Sequence, residues 1–215
     1  MSNTDVPNAY IKDGNAIYEK SFSIIRSEAN LTRFTKDEER VVVRMIHGCG
    51  MVDLADLIRM SPDFTKTARA AIEDNCTIFC DSKMVASGIT MARMEYKNEV
   101  VCTLQASGIA ELAKRRRTTR SAAALDFWGK KLEGSIVAIG NAPTALFRLI
   151  EIIGETGIKP AAIIGLPVGF VGAAESKDAL IKFSKIPYLT VKGRRGGSAM
   201  TASAINAIIT SKEIV

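Results

Sequence analysis

After residue 75 the chain alternates short β-prone runs with helical segments, and this alternation constrains its fold more than any other feature. The runs are Thr77 to Cys80 (TIFC), Val100 to Leu104 (VVCTL), Ser135 to Ile139 (SIVAI), Ala161 to Ile164 (AAII) and Tyr188 to Val191 (YLTV). Helical patterns fall between and after them, near 83–88, 108–114, 120–131, 144–155, 175–183 and 198–210. Parallel neighbours in a sheet need long crossovers, and helical crossovers pack back onto the sheet with right-handed connectivity. The pattern therefore predicts an α/β fold, a three-layer α/β/α arrangement with a mainly parallel, doubly wound sheet. The first third reads as helical. An amphipathic stretch over 14–31 carries Ile17, Phe22, Ile24, Ile25 and Ala29, and Thr35 with Glu38 has the spacing of a capping box that opens a second helix ending around Gly48, Cys49 and Gly50. Ser61 and Pro62 start a third helix, and this N-terminal segment is expected to pack on the sheet. No repeat or Ser/Pro-rich linker divides the 215 residues, so one domain over 1–215 is the expectation.

Several function classes lose support on the same reading. The longest charge-free stretch, Pro160 to Ala174, has 15 residues and is broken by prolines and glycines, too short to span a bilayer, so no membrane partner is expected. The N-terminus has no basic segment followed by an apolar one, which points to the cytoplasm. Cys49, Cys76, Cys80 and Cys102 form no CxxC pair and have only one histidine to help, so we read them as reduced thiols and expect no metal. No loop matches GxGxxG or GxxxxGK[ST], which leaves nucleotide cofactors without support. The formal charge of +6 suits an anionic partner, and Lys114 to Arg120 (KRRRTTR) is its densest patch. That run is either a phosphate-binding surface or a solvated helix end, and no aromatics interleave with it to stack on bases.

Ligands of open α/β sheets bind outside the carboxyl ends of the strands. The loops expected there are GNAPTA, GLPVGFVGAAESK and KGRRGGSAM. Each is glycine-rich, either because a tight turn needs it or because a ligand approaches the backbone. The last places Arg194 and Arg195 just before a helix opened by Ser198, the pattern of an anion pocket. His47, the one histidine, ends the second helix on a face shared with Arg40 and Arg44. Nearby guanidiniums disfavour its charged form and the helix dipole favours it. It is either a helix cap or an acid–base group beside a glycine-flanked turn.

Taken in order, DGNAIYEKSFSIIRSEA, RMIHGCGMVD, TTRSAAAL, GNAPTALF, GLPVGFVGAAESK and GRRGGSAMTASAIN resemble the motifs of the precorrin-8X methylmutase family, also called precorrin isomerase. The resemblance runs from about Tyr10 to about Ile208. It implies an isomerase of corrin-ring synthesis, on the route to cobalamin, that moves a methyl group from ring carbon eleven to twelve by a 1,5-sigmatropic shift. The substrate would be precorrin-8X or its cobalt form, with no cofactor. It further implies a cytoplasmic homodimer with the site near the subunit interface, a tetrapyrrole partner and no nucleic acid. His47 matches the family's catalytic histidine, a proton donor and acceptor; Ser21 matches a substrate-contacting serine and Arg120 an active-site arginine. Lys177, Arg194 and Ser198 lie in matching motifs, where charge and loop position suggest contacts to carboxylates or pyrroles. Gly48 stands where the family motif has alanine, a change expected to loosen the turn beside His47. The competing reading is a non-catalytic binding module for corrin intermediates, phosphorylated ligands or nucleic acid.

Overall fold

The structure, a computed structural model, describes residues 10–183, 185–210, 212 and 213; the N-terminal stretch read above for a signal lies largely outside them. The five expected runs form strands β2 (Ile78–Cys80), β3 (Val100–Val101), β4 (Ile136–Ile139), β5 (Ala162–Gly165) and β6 (Tyr188–Val191), all parallel to one another. A sixth strand, β1 (Ile58–Met60), joins the edge antiparallel to β6, pairing Ile58 with Val191 and Met60 with Leu189. The order is β1-β6-β5-β4-β2-β3. The parallel strands thus run 2-1-3-4-5 in sequence order, and the order reverses between β2 and β4.

Both faces of the sheet are covered. Ile78, Cys80, Ile136, Ala138, Ile164, Leu189 and Val191 face one core, shared with α2 (Lys36–Cys49), α4 (Phe64–Glu73), α5 (Lys83–Gly88) and α10 (Ser198–Ile208). The alternate residues Phe79, Val137, Ile139, Ile163 and Tyr188 face a second core, shared with α7 (Arg120–Leu125), α8 (Pro143–Thr156) and α9 (Ala173–Phe183). Side chains of a strand point alternately to its two faces, so nearly unbroken apolar runs are what a doubly covered parallel sheet requires. The remaining helices are α1 (Gly14–Glu28), α3 (Leu54–Leu57) and α6 (Ile109–Arg116). Lys114, Arg115 and Arg116 form the last turn of α6, where positive charge complements the helix dipole, and the run continues through Arg117 in the left-handed conformation. The expected helix over 120–131 stops at Leu125; a 3-10 turn over Gly129–Leu132 follows, with Gly129 at φ 52°.

Helix α2 positions the site. Its capping box is formed, with Thr35 N–H donating to Glu38 Oε2 at 2.8 Å and Glu38 N–H to Thr35 Oγ1. Val41 to Ile46 are all buried, a run longer than one turn, which requires cover on every side. One side packs on α10 and another on α1. The C-terminal end of α2 meets the first half of α10, because a Cβ at Gly48 would fall 2.3 Å from Ser203 Oγ, while Arg40 near its start reaches the Thr210 carbonyl. The two helices are antiparallel, and His47 comes to the carboxyl end of the parallel strands. Gly48 is helical and closely packed here, so it does not loosen the turn; the left-handed residue is Gly50, at φ 70°, whose N–H closes the helix on the Ile46 carbonyl.

Candidate active site

Helix α1 begins at Asp13, whose side chain accepts from Ala16 N–H at 2.7 Å, and lays Tyr18, Ser21, Phe22 and Ile25 along the face turned to α2. Ser21 Oγ lies 2.8 Å from His47 Nδ1. The imidazole is flanked by two aromatic rings, Tyr18 at 5.1 Å between centroids and Phe22 at 5.3 Å in an edge-to-face contact. Burial, and then the positive charge of Arg44, hold the His47 pKa below its ordinary value, which favours neutral imidazole. With Nδ1 engaged by Ser21, Nε2 is the nitrogen left for a ligand. The pair opens into a cleft of ≈ 390 Å³ whose wall is mainly isoleucine, including Ile11, Ile17, Ile24 and Ile46, with Lys20 and Glu28 at its polar positions.

The arginine loop joins this end of the molecule. Arg195 Nη1 pairs with Asp53 Oδ2 at 2.5 Å, just beyond the end of α2, and the Arg194 guanidinium lies 5.3 Å from the Phe170 ring. The neighbouring loop after β5 is laced to it: Gly197 N–H donates to the Leu166 carbonyl at 2.8 Å and Gly169 N–H to the Arg194 carbonyl at 3.3 Å. Gly196 makes this approach possible, since a Cβ there would meet the Leu166 oxygen at 2.3 Å. Lys177 is fully buried and donates to the Arg195 carbonyl at 2.5 Å; burial pulls its amine down to about 8. Ser198 is buried too, with its Oγ 3.4 Å from Ser82 Oγ. Lys177 and Ser198 therefore brace the loop from beneath, whereas Arg194 is exposed. Arg120 opens α7 with an exposed side chain and does not line the His47 cleft. Phe170 and Val171, 83% and 89% exposed, form an apolar tip that sequence reading had not singled out.

Asp81 was also missed. It follows β2, is 1% exposed, and accepts from the backbone N–H groups of Gly140, Asn141 and Ala142 at 2.8–3.0 Å. Burial raises its pKa, while those donors oppose the rise. The GNAPTA amides are thus spanned by an internal carboxylate at the point where strand order reverses. The four cysteines are free thiols, with burial pushing Cys76 up to about 11 and Cys80 higher. Among the described residues no group of three His, Cys, Asp or Glu could hold a metal ion, and no helix is long and apolar enough to cross a membrane.

This is a doubly wound α/β protein with a candidate acid–base site, a histidine–serine pair at an isoleucine-walled cleft with arginines at the same end. The family model described as precorrin-8X methylmutase matches residues 16–211. The chain belongs to the precorrin-8X methylmutase family. It is 56% identical over 200 residues to a precorrin-8X methylmutase from a Sinorhizobium species, covering 93% of this chain and 95% of that one. It is 36% identical over 204 residues to the cobalt-precorrin-8 methylmutase of Leptospira interrogans, covering 91% and 93%. The crystal structure of a precorrin-8X methylmutase from Thermus thermophilus superposes with a TM-score of 0.82 at 36% identity, over 90% of this chain and 96% of that one.

Proposed function

We propose that this protein catalyses the methyl shift from ring carbon eleven to twelve of precorrin-8X, an intramolecular step of cobalamin synthesis in the cytoplasm. The observation that carries the reading is the Ser21–His47 pair, 2.8 Å apart, set in the family's motif at the mouth of an apolar cleft. Ser21 fixes the imidazole through Nδ1, and Nε2 exchanges a proton with the macrocycle. Neutral imidazole takes a proton from the macrocycle at Nε2, which changes the ring's conjugation; the methyl carbon breaks its bond to carbon eleven and forms one to carbon twelve, and the same proton is returned, so atoms and charge balance. Isoleucines receive the flat face of the ring. The exposed guanidiniums of Arg120 and Arg194 meet rim carboxylates, and Lys177 and Ser198 act on the substrate through the loop they support. The metal-free substrate is favoured by the higher identity to a relative named for precorrin-8X than to one named for the cobalt form.

A cleft of ≈ 390 Å³ is small for a whole tetrapyrrole, and Ile11, Ile17 and Ile24 around it are exposed. This supports a homodimer in which a second copy completes the enclosure, a state that light scattering of the purified protein reads directly. The activity is tested with His47→Ala. Conversion of substrate to the coloured product is expected to stop while product binding persists. Turnover at the wild-type rate would remove His47 from the mechanism, and product binding without turnover by the wild type would make the protein a carrier. Incubation with metal-free and cobalt-containing substrate in parallel, followed by absorption, decides between the two forms.

A further inference from the structure

Arg44 precedes His47 by one turn on α2 and is 8% exposed, a costly place for a guanidinium. Its charge lies 5.5 Å from the Phe22 ring and 5.9 Å from the Tyr18 ring, the same two rings that flank the imidazole. On its other side it donates to the Glu213 carbonyl, and Glu213 in turn pairs through its carboxylate with Arg26. The guanidinium is thus held in place from two directions. Burial and the neighbouring charge of Arg93 both work against it, so packing alone gives no reason for a charge at this position. An apolar side chain of similar length would cover the same rings.

We propose that Arg44 is a positioning residue for His47, a fixed buried charge that keeps the imidazole neutral and bonded to Ser21 and makes any proton taken at Nε2 easy to return. The proposal rests on the proton-exchange role given to His47 above. The other charged or titratable groups around that ring are Tyr18, Lys20 and Glu28 on α1, Arg93 at 5.7 Å from the Tyr18 ring, and Cys49 two residues on. Arg44 differs from the other cations in being buried on the helix that carries the imidazole. The depressed pKa of His47, for which burial is the first cause and Arg44 the second, agrees with this.

Because the chain has one histidine, its imidazole gives one titrating NMR signal without overlap. The experiment follows that signal against pH in wild type, Arg44→Met, Arg44→Lys and Arg93→Gln. Arg44→Met keeps the cover over both rings and removes the charge; Arg44→Gln keeps a donor for the Glu213 carbonyl and replaces it if the Met variant does not fold. The midpoint is expected below 6.5 in wild type, to rise by about half a unit or more in the neutral variants, to stay near wild type in Arg44→Lys, and to move less in Arg93→Gln than in Arg44→Met. An unchanged midpoint in the neutral variants, or an equal rise in Arg44→Lys or Arg93→Gln, overturns the proposal. The acid limb of kcat against pH should rise with the midpoint; a midpoint that moves while the limb does not also overturns it. Failure of His47 as the catalytic group would show separately, as retained turnover in His47→Ala.

Discussion

Replacing Gly48 by alanine tests how tightly α2, the helix that carries His47, is seated on α10. The added Cβ would lie 2.3 Å from Ser203 Oγ and 3.2 Å from Ser203 Cβ. Both distances are shorter than ordinary contact, and helix–helix overpacking of this kind costs about 1–3 kcal/mol. Against it stands the helix propensity of alanine over glycine, worth up to about 1 kcal/mol. Gly48→Ala alone should therefore lose roughly 0–2 kcal/mol. Ser203→Ala removes the oxygen at 2.3 Å and leaves the 3.2 Å contact and an ordinary one at 3.8 Å to the Ala199 carbonyl, so in that background the same substitution should be neutral or stabilising. The two changes are expected to couple by about 1–2 kcal/mol, measured as a double-mutant cycle by urea unfolding. Since His47 is the preceding residue, Gly48→Ala should also lower turnover, and Ser203→Ala should restore it. Additivity of the two changes within about 0.5 kcal/mol would refute the argument, because it would mean that the helices are not in contact where the structure brings them together. A chain with alanine in this motif position would by the same reasoning need a smaller or displaced residue opposite it.

Two further substitutions probe the loops. Gly196→Ala would push a carbon to 2.3 Å from the Leu166 oxygen and 2.8 Å from that of Pro167, backbone atoms that cannot rotate away. We expect about 2–3 kcal/mol of lost stability and a Tm lower by roughly 5–10 °C, with weaker product binding; a Tm within about 2 °C of wild type would show that the two loops are not locked together. Asp81→Ala strands the Gly140, Asn141 and Ala142 amides and should cost about 3 kcal/mol or more. Sulfate or phosphate should raise the Tm of this variant more than that of wild type by refilling the cradle, and equal responses would count against the carboxylate having occupied an anion site.

The sheet was readable from sequence because strands covered on both faces are short apolar, β-prone runs between helical segments, and each of the five runs picked out by that alternation contains a strand. Strand β1 escaped because Ile58, Arg59 and Met60 pair along the edge only with β6, so neither length nor composition marks them. The end of α7 was overrun because Phe127 and Trp128 carry the apolar pattern two residues past Asp126, while the chain turns at Gly129 through a backbone conformation that the hydrophobic pattern does not record. At the candidate site, His47 was ambiguous by position alone, and only the motif around it singled it out as a candidate acid–base group. The Ser21 contact spans 26 residues and depends on how α1 lies on α2, which no local pattern encodes. Lys177 was legible as a charge but not as a buried one. Its amine faces a carbonyl of its own chain, and only the packing of α9 beneath the arginine loop shows that.

The position of Asp81 explains why the cleft lies where it does. In a sheet of this strand order the natural ligand crevice is between β2 and β4, where connections leave in opposite directions and helix N-termini present free amides. Here a buried carboxylate from the end of β2 takes up three of those amides at the start of α8. An external phosphate or carboxylate would have to displace it and meet its charge. The glycine-rich GNAPTA loop is accordingly a closed structural joint. On the proposed function, substrate goes instead to the cleft that α1 and α2 add outside the sheet, whose apolar wall suits a large ring better than an array of backbone donors. On that proposal, the helical first third of the chain is the part that adds a macrocycle site to a general α/β scaffold. Substitutions in α1 and α2 should alter binding and turnover with little effect on the sheet, and those in Asp81 should alter stability far more than substrate affinity.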